Sequence, residues 1–255
     1  MMKYAMSCFL LITLIPAGST TKDVTVETIE LAKRFSVAVV CITIDVNHLA
    51  TSLNSLGSGF VVNRRGDFIT ASHVTDAMNK QHGCTPSIYL SKTVWADAST
   101  ADLTFVEFSE CWSEPPPVDL SLCRPLENPF MEPHLAKSIG FAAIRTDRLK
   151  DGEPVAFTGF PLGIVRPLTS KGDVATYAGD DLIIDRAAWP GASGSPVYDG
   201  DGRVVGVVRQ AGANVAGGLA FATPADKLQM FLQTAIPQLD TIQENKQTQN
   251  PATHL

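Results

Sequence analysis

Apolar residues in this chain gather in short alternating or continuous runs, and few of them recur at helical spacing. Residues 36–46, SVAVVCITIDV, are β-branched and largely apolar, which predicts a strand. The stretch GSGFVVNRRGDFITASHV reads as a strand over Gly59–Asn63, a turn over Arg64–Asp67 and a strand over Phe68–Ala71. Arg65-Gly66-Asp67 supplies the turn chemistry. Further short strands are predicted at PSIYL, LTFVEF, PVAFTGF, LTSKGDVATYA, DLIIDRA, SPVYD, RVVGVV and GLAFA. Many short strands punctuated by Gly, Pro and Asp predict an all-β barrel or sandwich.

The proline-rich span 113–133 divides the chain into two β-rich halves, which predicts two small barrels joined by a crossing linker. The boundaries that follow are 20–35 for an N-terminal helical segment, including the weakly helical VETIELAKRF, and 36–115 for the first barrel. Residues 116–150 are expected to form the linker and 151–223 the second barrel. A terminal helix is predicted over 224–237, where Thr223 caps, Pro224 takes the first position, and Leu228, Phe231 and Leu232 form an apolar face. Residues 238–255 are polar and read as a flexible tail, with no second recognition domain expected.

Composition narrows the class. The 255 residues carry a net charge of −6, which argues against a nucleic-acid binder with its basic face. Residues 1–19 follow the order of a secretory signal: Lys3, an apolar run from Ala5 to Ile15, then Pro16 and small residues. That run is too short to span a membrane, so an exported, periplasmic or secreted protein without a stable span is expected. Signal removal leaves Cys41, Cys84, Cys111 and Cys123, which permit two disulfides in three connectivities. His48, His82, His134 and His254 lack metal-ligand spacing, and no phosphate-cradling motif occurs, so neither metal nor cofactor is expected.

Candidate chemistry lies in GASGSPVYDGDGRVVGVV, residues 191–208, where Ser193 and Ser195 compete. Acyl transfer by a serine needs backbone N–H groups aimed at the developing oxyanion. The backbone angles this requires two residues ahead of the nucleophile suit glycine, and Gly191 holds that place for Ser193. Ser195 precedes Pro196, which favours an extended strand entry and a scaffolding role. A serine nucleophile also needs a histidine base oriented by a carboxylate. His73 in FITASHVTDAM and Asp102 in STADLTFVEF stand where strands end or begin.

His, Asp and G-x-S-G in this order resemble a chymotrypsin-fold, trypsin-like serine endopeptidase, nearest to the bacterial HtrA type. The matching pieces are GSGFVVNRRGDFITASHV, ADLTFVEF, GEPVAFTGFPLG, GASGSPVYDGDGRVVGV and GGLAFATPADKL, covering about residues 25–235. The resemblance implies two six-stranded antiparallel barrels with a C-terminal helix. It assigns His73 as base, Asp102 as its orienting acid and Ser193 as nucleophile, with the N–H groups of Gly191 and Ser193 as oxyanion hole. It also admits a homo-oligomer.

Ala192 stands where activatable proteases keep an aspartate for a newly cut N-terminus, so activation by that ion pair is not expected. The S-G-S-P spelling is similar to secreted glutamyl endopeptidases, but RVVGVVRQAG lacks the histidine that accompanies it there. The pocket positions of the family fall on Ala187, Ala188, Arg209, Leu219 and Ala220. Small apolar walls imply protein or peptide substrates cut after small or medium aliphatic residues, whereas an inward Arg186 or Arg209 would favour an acidic one. The alternative of a different class is a catalytically silent or resting barrel that binds unfolded chains.

Overall fold

The computed structural model describes residues 21–44, 50–90, 104–211 and 218–249. Among them, β1 (Ser36–Ile44) shows why its sequence is largely apolar rather than alternating. Val37, Val39 and Cys41 face the interior of one barrel, while Ala38, Val40 and Ile42 pack with Tyr89 and Phe160 on the other side. A strand buried on both faces has no solvent side to keep polar.

The remaining strands of the first barrel are β2 (Ala50–Val61), β3 (Phe68–Thr70), β4 (Thr85–Leu90), β5 (Phe105–Glu114) and β6 (Leu120–Pro125). They close in the order β1-β2-β3-β6-β5-β4, with β4 antiparallel to β1. The second barrel comprises β7 (Pro154–Gly159), β8 (Leu168–Ala178), β9 (Asp181–Ile184), β10 (Pro196–Tyr198), β11 (Val204–Ala211) and β12 (Ala220–Pro224). Its order, β7-β8-β9-β12-β11-β10, repeats the wiring of the first.

The helices are α1 (Val26–Phe35), α2 (Ser72–Asn79), α3 (Pro133–Ala136) and α4 (Ala225–Gln249). Thr25 caps α1 by accepting from the Thr28 N–H. Between the barrels lies one apolar cluster. It draws Phe60, Ile69, Leu120 and Leu122 from the first barrel, Tyr198, Val204 and Val207 from the second, Phe35 from α1 and Leu228, Phe231 and Leu239 from α4.

Two sequence boundaries are corrected here. The stretch LSLCRP, expected within the linker, is β6, so the first barrel runs to Pro125 rather than to 115. The proline cluster ahead of it is the β5–β6 turn, and the crossing segment starts at 126. The polar end of the chain is likewise helical to Gln249 instead of a flexible tail from 238. Its polar side chains have partners: Asp240 and Gln243 meet Arg124 on β6 at 2.9 and 2.8 Å. Arg124 is itself clamped on Asp67 by two bonds of 2.7 and 2.9 Å, and Asp67 is fully buried.

The disulfide connectivity, open in the sequence, is Cys41–Cys84 and Cys111–Cys123, with Cα separations of 5.5 and 4.1 Å. Cys111 and Cys123 are direct cross-strand partners of β5 and β6. No helix among the described residues is long and apolar enough to cross a membrane. The predicted signal, His48 and His254 lie outside the described residues.

Candidate active site

His73 occupies the first turn of α2, which follows β3 after the extended residue Ala71. Val74 and Met78 anchor α2 in the first barrel's core and leave the His73 side chain half-exposed toward the groove between barrels. Strand β6 pairs with β3, Thr70 opposite Ser121, so the residue ahead of β6 arrives beside the start of α2. That residue is Asp119. Its φ of +55° turns the chain sharply into β6, a conformation Asp tolerates better than most side chains.

The Asp119 carboxylate is almost fully buried and takes three hydrogen bonds. His73 Nδ1 lies 2.8 Å from Oδ2, while Ser72 Oγ and the His73 backbone N–H donate to Oδ1 at 2.6 and 3.0 Å. Burial opposes ionisation of Asp119, but the hydrogen bonds from His73 and Ser72 and the charge His73 can carry outweigh it and hold the carboxyl below its ordinary range. An ionised carboxylate only accepts, so the proton belongs on Nδ1 and the lone pair on Nε2 is free to act as a base.

This corrects the orienting acid. Asp102, which the family resemblance points to for that role, lies outside the described residues, and the position on Nδ1 is filled by Asp119. The physical reason is the barrel wiring, which brings the β5–β6 turn, rather than the entry to β5, to the end of β3.

Ser193 lies in the loop between β9 and β10. Two glycines shape that loop. Gly191 has φ +93° and Gly194 φ +87°, and a Cβ on Gly194 would stand 2.0 Å from the Ser58 carbonyl oxygen. The loop is pinned from several sides: Ser58 N–H donates to Ser193 O (2.8 Å), Gly194 N–H to Val208 O (2.7 Å) and Leu162 N–H to Pro190 O (2.8 Å). The N–H groups of Gly191 and Ser193 take no partner among the described residues. Ser195 is fully buried, its hydroxyl unpaired against Gly159, and its backbone joins Ala192 and Val208.

The two halves of the site meet at Gly57 of β2. A Cβ there would come within 2.7 Å of Val74, the neighbour of His73, and within 3.1 Å of the Ser193 carbonyl oxygen. The Ser193 hydroxyl itself donates to the Arg209 carbonyl at 3.2 Å, not to His73.

Arg209 therefore enters the site through its backbone. Its guanidinium is engaged by Asp181 and by the Pro117 carbonyl, so its charge is already paired. Thr223 adds a second bond to the same turn, donating to Val118 O at 2.7 Å. Arg186 is exposed. Ala188 and Ala220 are buried in the second barrel's core, and Ala187 and Leu219 are half-buried. A Cβ on Gly218 would lie 3.6 Å from that of Ala187, so the segment after β9 and the entry to β12 face each other across a short apolar gap. Ala192 backs onto a cavity of about 150 Å³ shared with Phe157, Leu168 and Trp189, where no charged side chain stands.

Residues missed in the sequence are Asp119, Ser72 and Ser58. Comparison with known proteins agrees with the architecture. Residues 57–207 match the trypsin-like peptidase domain, and the chain belongs to that family, with the chymotrypsin fold. Among individual proteins it is 28% identical over 192 residues to the mitochondrial serine protease HTRA2 of Drosophila erecta, covering 71% of this chain and 40% of that protein. It is 26% identical over 196 residues to serine protease HTRA1 of Xenopus laevis, covering 69% of this chain and 35% of that one. The chain thus spans well under half the length of these curated relatives.

Proposed function

We propose that this chain is an exported serine endopeptidase in which Ser193 attacks, His73 moves the proton and Asp119 holds the imidazole. The observation that carries the reading is the Asp119–His73 pair, with Nδ1 committed to the carboxylate and Nε2 free. Ser193 Oγ adds to the peptide carbonyl carbon as its proton passes to Nε2. The carbonyl oxygen, now negative, is received by the unpartnered N–H groups of Gly191 and Ser193. The C–N bond then breaks and the amine departs with the proton from Nε2. Water, deprotonated by the same nitrogen, releases the acyl group and restores Ser193. For attack, the Ser193 hydroxyl exchanges its bond to the Arg209 carbonyl for one to Nε2 of His73.

Cleavage after small or medium aliphatic residues is supported by Ala187, Ala188, Leu219 and Ala220, and by the engagement of Arg209's charge with Asp181. Such a slot selects weakly, about 1–3 kcal/mol per methylene. Export is supported by two disulfides, which persist in oxidising compartments, and by the signal-like leader. The serine-protease names of the relatives point the same way.

Ser193→Ala is expected to abolish casein hydrolysis and fluorophosphonate labelling, a loss of about 10⁶-fold in kcat, while leaving the circular dichroism spectrum and melting temperature near wild type. Equal turnover by the variant would refute the assignment. A folded wild type that takes no fluorophosphonate would favour the silent, chain-binding alternative.

A further inference from the structure

We infer that Ser58, on β2 of the first barrel, is a positioning residue for the oxyanion site of the second. This inference rests on the peptidase reading above. Ser58 is fully buried, and both capacities of its hydroxyl are used across the barrel interface. The hydroxyl donates to the Gly191 carbonyl at 2.7 Å and accepts from the Phe160 N–H at 2.8 Å. Its own N–H donates to Ser193 O at 2.8 Å, and its carbonyl accepts from Thr70 Oγ1 at 2.7 Å. The second barrel leaves room for the hydroxyl by keeping Gly159 bare, where a Cβ would stand 2.6 Å from Ser58 Oγ.

The consequence follows from peptide planarity. The N–H of Gly191 shares a plane with the Pro190 carbonyl and points opposite to it. Leu162 N–H holds that carbonyl at 2.8 Å, so the Gly191 N–H is directed away from the 160–162 segment. The next peptide plane is fixed by Ser58 through the Gly191 carbonyl. Gly191, a glycine with φ +93°, has little intrinsic resistance to turning between those planes. Ser58 holds one plane directly. Through Phe160 N–H it also steadies the segment whose Leu162 holds the other. One hydroxyl from the base's barrel therefore sets the direction of a donor in the nucleophile's barrel.

The test compares wild type, Ser58→Ala and Thr28→Ala, the last a control that loses another buried hydroxyl–carbonyl bond, to Gly200, away from the site. For Ser58→Ala, kcat on a peptide substrate is expected to fall about tenfold to a hundredfold with KM within about threefold. Affinity for a peptide boronate, whose adduct places an oxygen on these donors, should fall by the same factor as kcat/KM. Affinity for the product peptide should hold, and Thr28→Ala should match wild type in kcat. Should Ser58→Ala fold poorly, the volume-matched pair Ser58→Thr and Ser58→Val decides: Thr keeps the boronate-to-product affinity ratio and Val loses it. Wild-type kcat in Ser58→Ala, equal losses of boronate and product affinity, or indistinguishable Thr and Val variants would overturn the role of Ser58. A wild type that neither hydrolyses peptide nor takes a fluorophosphonate would instead overturn the peptidase reading, and this inference with it.

Discussion

The two barrels share one wiring diagram, and each places its key residue in the same connection, between its third and fourth strands. In the first barrel that connection is α2, carrying His73; in the second it is the glycine-shaped loop carrying Ser193. The contrast follows from what each half would deliver in the proposed reaction. A base needs one side chain aimed and held, which a helical turn seated on a buried carboxylate achieves. An oxyanion site needs backbone N–H groups left unspent, which a regular helix or strand would consume. The means of fixation differ as well. All five cysteines precede residue 124, so both disulfides and the buried Asp67–Arg124 pair brace the first barrel. The second has no disulfide and is held by close glycine contacts, by the buried Asp199 on Arg145 and Arg203, and by bonds from its neighbour.

The contrast between the barrels is open to three measurements. The largest effect is expected for Asp119→Asn, which keeps the shape but upsets the tautomer and should lower kcat about 10⁴-fold. Asp102→Asn should leave kcat within about twofold, since the carboxylate position is filled. A reversal of those two results would return the acid to the entry of β5. Next come the disulfides. The loop-entropy relation gives about 4 kcal/mol for Cys41–Cys84, separated by 43 residues, and about 3 kcal/mol for Cys111–Cys123, separated by 12. Mild reduction should therefore speed amide exchange in β1–β6 while β7–β12 keep their protection; uniform loss of protection would show that the barrels do not differ in fixation. The smallest effect concerns acid. Asp119 titrates below its unfolded value, so its contribution is complete above about pH 4 and fades as pH falls through the native pKa. Melting temperature should drop less steeply over that range in Asp119→Asn, and parallel profiles would count against an ionised Asp119.

The sequence was legible where local pattern decides structure. Eleven of the strands announce themselves by short apolar runs, alternating or continuous, and Gly191-x-Ser193-Gly194 by the backbone freedom an oxyanion loop requires. It was misleading where long-range pairing decides. LSLCRP sits behind three prolines and looks like linker, yet six strands are needed to close the barrel, and one was missing from the first half. Counting strands would have put the acid ahead of the sixth, at Asp119. The role of Ser58 left no local trace, because its partner Gly191 lies 133 residues away. The polar residues after 237 looked solvated for the same reason: Arg124, 116 positions before Asp240, is what they bind.

Helix α4 leaves the second barrel and ends on the first, fastened there by Arg124 and by Arg65, whose bond to Asp240 is 2.7 Å. The polypeptide thus crosses between its halves twice, once through residues 126–153 and once in return through α4. Parting the two barrels must first unfasten the bonds of Asp240 to Arg65 and Arg124. The chain after Gln249 starts its path from the flank that carries His73, not from the one that carries Ser193.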